Sequence, residues 1–214
     1  MRAVIISGGR ADIEFIRREL TGEFYDMLIA ADSGLETCYA LGIIPDVMLG
    51  DYDSVSGQIK EYYQSYGVQA FTYPEKKDET DTELAVKFAI NQHAGQIILY
   101  RATGSRMDHT LANLFLLQLG LEHGIDMQIR DKYNRIRLVK GKFVLQKPAQ
   151  FGDYISLLPL SQTVEDICLT GFRYPLEHAC MVQGSSLGIS NVLEEEQGVI
   201  SAGSGILILI ESKD

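Results

Sequence analysis

The chain has 214 residues, 46% of them hydrophobic, enough for one large domain or two modest ones with a real core. Its formal charge of −10, with no long lysine or arginine run, excludes a surface that tracks DNA or RNA; a polyanion would need intervening cations, and a cationic small substrate would be favoured. The three cysteines, Cys38, Cys168 and Cys180, form no CxxC pair, which argues against a disulfide framework and against a zinc site and fits a reducing cytosol.

The opening "AVIIS" reads as a strand; with "GG" after it the segment is too short and too soon broken for a signal peptide. A helix follows from about Asp12 to Leu20, with Ile13, Ile16 and Leu20 at helical spacing. "MLIAAD" is the second strand. The next helix turns Leu35, Cys38 and Leu41 inward and stops at Gly42. "DVMLG" reads as a strand, "GQIKEYYQSYG" as a helix and "VQAFTY" as a short strand. "TDTELAVKFAINQH" is the clearest helix, opened by a Thr80/Glu83 capping box. "QIILYRA", "DHTLANLFLLQLGLEHG" and "DMQIRD" continue as strand, helix and strand. This alternation predicts a parallel, Rossmann-like α/β domain over residues 1–132.

Beyond about Asn134 the pattern changes. "IRLVKGKFVLQ", "YISLLPLS", "EDICLTGFRYPL" and "GVISAGSGILILIES" are strand-type runs between glycine, proline and polar turns, predicting a smaller all-β sandwich over residues 133–214. The apolar "GILILI" is far too short to span a bilayer, so the chain reads as soluble and cytoplasmic.

In an open α/β sheet ligands bind beyond the carboxyl ends of the strands. Here those positions are acidic. The second strand ends in Asp32 and Ser33, and the third in Gly50, Asp51, Asp53 and Ser54; the next loop holds Lys77, Asp78 and Asp81. "TGSRMDHTLAN" supplies Gly104, Arg106, Asp108, His109 and Asn113. Taken singly, each has an ordinary reading: Asp32 and Ser33 as a helix cap, Asp51 and Asp53 as a solvated turn, Asp78 and Asp81 as acids at a helix N-terminus, His109 as a packed histidine. An EF-hand is excluded, because the sixth and twelfth positions counted from Asp51 are Ser56 and Tyr62.

Together the carboxylates repel one another, and a hard divalent cation with oxygen ligands relieves that repulsion; Mg²⁺ is the usual one where phosphates complete its shell. A phosphate-bearing substrate follows, with Lys77 and Arg106 placed to take further phosphate charge. "SGGR" offers backbone N–H groups to a phosphate or is a plain tight turn. In an extended segment residues two apart face the same side, so Asp51 and Asp53 are expected to point to one edge. No P-loop and no protein-kinase motif set occurs.

The series "ADSG" at 31–34, "PDVMLGDYDS" at 45–54, "KKDETD" at 76–81, "GSRMDHTLAN" at 104–113, and the later "YPL" and "GISN", resembles the ordered motifs of the thiamine pyrophosphokinase family along nearly the whole chain. The resemblance implies an α/β nucleotide domain followed by a β-sandwich, and Mg²⁺-dependent transfer of pyrophosphate from ATP to the hydroxyl of thiamine, giving thiamine diphosphate and AMP. It implies Asp51, Asp53, Asp78 and Asp81 as metal and phosphate ligands, and Asp32, Ser33, Lys77, Gly104 and Asn113 on the nucleotide side. Arg106, Asp108 and His109 would lie at the floor, and either Asp81 or Asp108 would take the proton. It also implies a homodimer in which Ser190 and Asn191 serve thiamine.

Two departures concern the vitamin pocket: Val192 stands where the family usually has an acid, which here is reached only at Glu194, and the chain has no tryptophan. Rival readings are a pyrophosphokinase for another heterocyclic alcohol such as a pterin, a metal-dependent phosphohydrolase, and a nucleotide sensor without turnover.

Overall fold

The computed structural model describes residues 1–53, 55–73 and 78–214. Ser54 and Lys77, both named above as candidates, lie outside the described residues. The chain divides into two compact units, Met1–Lys132 and Tyr133–Asp214.

Unit 1 alternates strands with helices: β1 (Arg2–Ile6), α1 (Ile13–Gly22), β2 (Met27–Ala31), α2 (Gly34–Leu41), β3 (Val47–Gly50), α3 (Gly57–Ser65), β4 (Gln69–Thr72), α4 (Asp81–Asn91), β5 (Gln96–Tyr100), α5 (Met107–Glu122) and β6 (Asp126–Arg130). The strands pair in parallel in the order β4-β3-β2-β1-β5-β6. Continuous apolar runs suit strands covered on both faces, and Ile5, Ile6, Ile29, Met48, Leu49, Ile97, Ile98 and Leu99 are all fully buried. Only β4, at the edge, is largely exposed. The chain progresses from β1 to β4 on one side and then crosses to β5 on the other, so the topological switch point lies between β1 and β5.

The helix ends follow the local chemistry. Asp12 caps α1 by accepting from the Phe15 N–H at 2.9 Å, which holds its carboxyl below the usual carboxylate range. Gly42 closes α2 at φ 68°, where a β-carbon would be strained. Thr80 caps α4 by accepting from the Glu83 N–H at 3.2 Å, while the Glu83 carboxylate pairs with Lys87 at 2.7 Å.

Unit 2 contains β7 (Asn134–Val139), β8 (Lys142–Gln146), β9 (Tyr154–Pro159), β10 (Thr163–Thr170), β11 (Leu176–Val182), β12 (Gln197–Ser201) and β13 (Leu207–Ser212). Here β13 pairs antiparallel with β7 and β9, and β11-β10-β12-β8 form a second antiparallel sheet. Inward residues of both sheets share one core, including Leu157, Leu207 and Leu209 from the first and Leu145, Val164, Ile167 and Ile200 from the second. Sequence reasoning identified the strand texture but not β11 as a separate strand. That edge strand carries Glu177, His178 and Cys180 outward and buries only Met181 fully.

Candidate active site

At the carboxyl edge of the unit 1 sheet a cavity of ≈ 720 Å³ is lined by the segments that follow β1, β2, β3 and β5 and by the first turns of α4 and α5. Among the sequence candidates it takes in Asp32, Ser33, Asp51, Asp81, Gly104, Arg106, His109 and Asn113. Carboxylate oxygens of Asp32, Asp51 and Asp81 lie within 4.8 Å of one another, and all three side chains are half-buried. Asp53 and Asp78 are exposed and belong neither to this group nor to the cavity lining; Asp108 is exposed beside it.

The expected alternation of Asp51 and Asp53 does not occur. β3 ends at Gly50, and Tyr52 adopts a left-handed conformation at φ 62°, which breaks the extended path between the two acids. Asp51 instead folds back to accept the Asp53 N–H at 3.1 Å. Gly50 has φ 145°, a conformation that L side chains rarely adopt, and a β-carbon there would lie 3.3 Å from the Asp32 backbone nitrogen, so glycine suits the point where the strand end passes Asp32.

Asp32 itself has φ 48°, and Arg101 has φ 54°; with Tyr52, three non-glycine residues just beyond β2, β3 and β5 are left-handed. Such residues cost of order 1–3 kcal/mol each and persist where their surroundings over-determine them. At Asp32 the constraint is visible as a backbone hydrogen bond from its N–H to the Leu49 carbonyl, 2.8 Å. Ser33 stands at the N-cap of α2 but makes no side-chain cap hydrogen bond to it.

Arg101 was not singled out by the sequence. Its guanidinium donates to the Gly9 carbonyl, the Ser33 carbonyl and Thr37 Oγ1, each at 2.7 Å, and to the Gly8 carbonyl at 3.4 Å. Burial pushes its pKa down, opposed by Glu36 and Asp32. One side chain thus ties together the loops after β1, β2 and β5. The "SGGR" turn also differs from its phosphate-cradle reading, because the Gly9 and Arg10 N–H groups are spent on the Arg101 and Thr103 carbonyls at 2.7 and 2.9 Å. A β-carbon at Gly9 would collide with those same carbonyl oxygens, so this glycine serves close loop approach.

At the start of α5, Arg106 and Asp108 form a forked ion pair, with Nη2 to Oδ2 at 2.7 Å and Nε to Oδ1 at 3.3 Å. The pair holds the Asp108 carboxyl down to about 2 and raises Arg106. His109 is exposed and lines the cavity, contrary to its packed reading. Asn113 is buried and donates from Nδ2 to the Ala102 carbonyl at 2.8 Å, fastening the loop after β5 to α5. Gly104 donates its N–H to Thr110 Oγ1 at 3.2 Å. In unit 2, Asn191 is buried with both ends of its amide engaged: Oδ1 accepts from the Tyr174 and Val192 N–H groups at 3.0 and 2.9 Å, and Nδ2 donates to the Tyr174 carbonyl at 2.8 Å. Ser190 and Tyr174 beside it are exposed.

The electrostatics suit a cation bridging acids and phosphates. Two carboxylates 4.8 Å apart repel by about 3 kcal/mol at an effective dielectric constant near 20. A helix N-terminus, such as that of α4 behind Asp81, returns only about 0.3–1 kcal/mol. The all-oxygen donor set fits Mg²⁺ in kind, and the first turns of α4 and α5 present backbone N–H groups suited to anions.

Residues 21–129 match the model of the thiamin pyrophosphokinase catalytic domain, and residues 142–207 match that of the thiamin pyrophosphokinase vitamin B1 binding domain. The chain belongs to the thiamine pyrophosphokinase family. A thiamine pyrophosphokinase of Bacillus subtilis is 34% identical over 213 residues, covering 98% of each chain. The crystal structure of the enzyme from that species superposes with a TM-score of 0.88 at 32% identity over the whole of both chains. That from Geobacillus thermodenitrificans gives 0.85 at 31%, covering all of this chain and 98% of the other. Family membership agrees with the mixed α/β architecture, a large parallel sheet followed by antiparallel β structure. Among the described residues no helix is long and apolar enough to cross a membrane.

Proposed function

We propose that this chain transfers the pyrophosphoryl group of ATP to the hydroxyl of thiamine, releasing AMP and thiamine diphosphate, in the cleft of unit 1. The observation that carries the reading is the Asp32, Asp51 and Asp81 cluster set against the first turns of α4 and α5. Mg²⁺, when bound by these three carboxylates, supplies charge neutralisation and orientation for the phosphates. Asp53 and Asp78 stand outside the cluster and act on the outer part of the metal and phosphate site. Ser33, Gly104 and Asn113 shape the nucleotide side, Asn113 through the Ala102 carbonyl.

The thiamine hydroxyl attacks the β-phosphorus in line with the departing AMP oxygen, so alignment and charge are the main requirements. Arg106, exposed at the N-cap of α5, and His109, exposed on its first turn, meet the negative charge of the transferred group. Asp108, held near pKa 2 by Arg106, is a poor proton acceptor at neutral pH and orients Arg106 instead; the proton goes to Asp81, on the carboxylate oxygen that does not hold the metal.

In unit 2, Asn191 fixes the "YPL" turn against "GISN" through Tyr174, and leaves the exposed Ser190 and the Tyr174 ring to contact thiamine. Tyr174 supplies the stacking surface that tryptophan would otherwise give. We place the enzyme in the cytosol as a homodimer, each subunit's second unit contributing to its partner's thiamine pocket. Incubation with Mg²⁺-ATP and thiamine should yield equal amounts of AMP and thiamine diphosphate. Formation of ADP with thiamine monophosphate, or phosphate release from ATP without any acceptor, would overturn this reading.

A further inference from the structure

Unit 2 carries a second group of metal-ligating side chains, of a different chemical kind. Along the β10/β11 ladder Val164 opposes Met181, Ile167 opposes Ala179 and Leu169 opposes Leu176. The register therefore slips twice. Between the first two pairs Glu165 and Asp166 face the single Cys180, and between the next two the single Cys168 faces Glu177 and His178. Each slip contains a left-handed non-glycine residue, Asp166 at φ 55° and His178 at φ 47°. Ile167 and Leu169 go to the core, which leaves Cys168 between them for the opposite face. The outcome is that a carboxylate oxygen of Asp166, the sulfur of Cys168 and a ring nitrogen of His178 lie within 4.8 Å of one another.

Each donor is held in place. Asp166 Oδ1 hydrogen-bonds His178 Nδ1. The His178 backbone N–H donates to Cys168 Sγ at 3.5 Å, which fixes where the sulfur points. A β-carbon at Gly203 would press on the Asp166 side chain, so that glycine makes room for the carboxylate. An exposed His–Asp ion pair contributes little by itself and does not account for a sulfur brought to the same point. The absence of a CxxC spacing does not bear on this group, because its ligands come from two strands whose pairing brings sequence-distant residues together.

We propose that Asp166, Cys168 and His178 bind one divalent cation of borderline softness, Zn²⁺ being the type, with a fourth position open to water. Thiolate, imidazole and carboxylate are the Zn²⁺ ligand set, whereas Mg²⁺ takes oxygen alone; the cation would pin the doubly bulged β10/β11 pair.

The test is titration of the full chain, stripped by chelator, with Co²⁺ in excess Mg²⁺, so that Mg²⁺ fills oxygen-only sites such as the unit 1 cluster. The expected result is saturation at one equivalent with a thiolate-to-cobalt charge-transfer band, and its displacement by Zn²⁺. Cys168→Ser should abolish the band, His178→Ala and Asp166→Asn should each weaken binding by at least the roughly 10–100-fold that losing even a supporting hydrogen-bond partner of a ligand costs, and Cys180→Ser should leave the band in place. These side chains are exposed or half-buried, so the variants should fold, as circular dichroism would verify. A wild-type chain with no thiolate band, a band that survives in Cys168→Ser, or one lost in Cys180→Ser would overturn the proposal.

Discussion

Asp81 stands at the first position of α4 and in the carboxylate cluster, and the two roles predict opposite things when its charge is removed. As a helix-terminal acid its loss costs up to about 1 kcal/mol, but relief of repulsion from Asp32 and Asp51 offsets that. Asp81→Asn should therefore leave the urea midpoint nearly unchanged while lowering kcat/KM on the order of 10²–10³-fold. Arg101 offers a paired prediction. Arg101→Ala and Arg101→Gly both lose the guanidinium, and both should raise KM for ATP. Glycine removes the left-handed strain at φ 54°, so Arg101→Gly should be the more stable by about 1 kcal/mol in denaturant unfolding. Asp108 gives the pH dependence. Its folded pKa is lowered by Arg106, so its contribution to stability is present above the unfolded carboxylate value of about 4 and is lost as pH falls toward about 2. The melting-temperature advantage of the wild type over Asp108→Asn should persist at neutral pH and vanish across that window.

At the level of elements, α4 is where local chemistry and the site meet. Thr80→Ala removes the acceptor for the Glu83 N–H and should cost about 1 kcal/mol by thermal or urea unfolding, with a loss of activity because Asp81 directly follows the cap. Such helix starts are legible in sequence because a cap is a short-range contract between residues three apart. Buried parallel strands are legible for a related reason: covered on both faces, they show as unbroken apolar runs. What the sequence did not show has the opposite character. The left-handed turn at Tyr52, which separates Asp51 from Asp53, is a single φ reversal in an otherwise strand-like string. Arg101 acts on partners 92, 68 and 64 residues away, which no local pattern records. β11 was not read as a strand because the slip at Glu177 and His178 breaks its alternation and Val182 is its one β-branched residue.

Across the molecule, the division at Lys132/Tyr133 coincides with the change from helical to strand periodicity, and the two family models fall on either side of it. The candidate residues follow the same division: acids and cations for nucleotide chemistry in unit 1, Ser190, Asn191 and Tyr174 in unit 2. Asn191→Ala would leave Tyr174 backbone groups without their side-chain partner, at a cost of about 1–3 kcal/mol. It should raise KM for thiamine while leaving KM for ATP unchanged, as steady-state assays varying each substrate in turn would show.

The bonds made by Arg101 have one more effect. The carbonyl oxygens of Gly9 and Ser33 are negative ends of peptide dipoles lying beside a cleft lined with acids, where they would otherwise add to the field that repels ATP. Held by the half-buried Arg101 guanidinium, they point at a cation and are offset by it. The same side chain that ties three loops together thus also lowers the negative potential that the backbone would add to an acidic cleft.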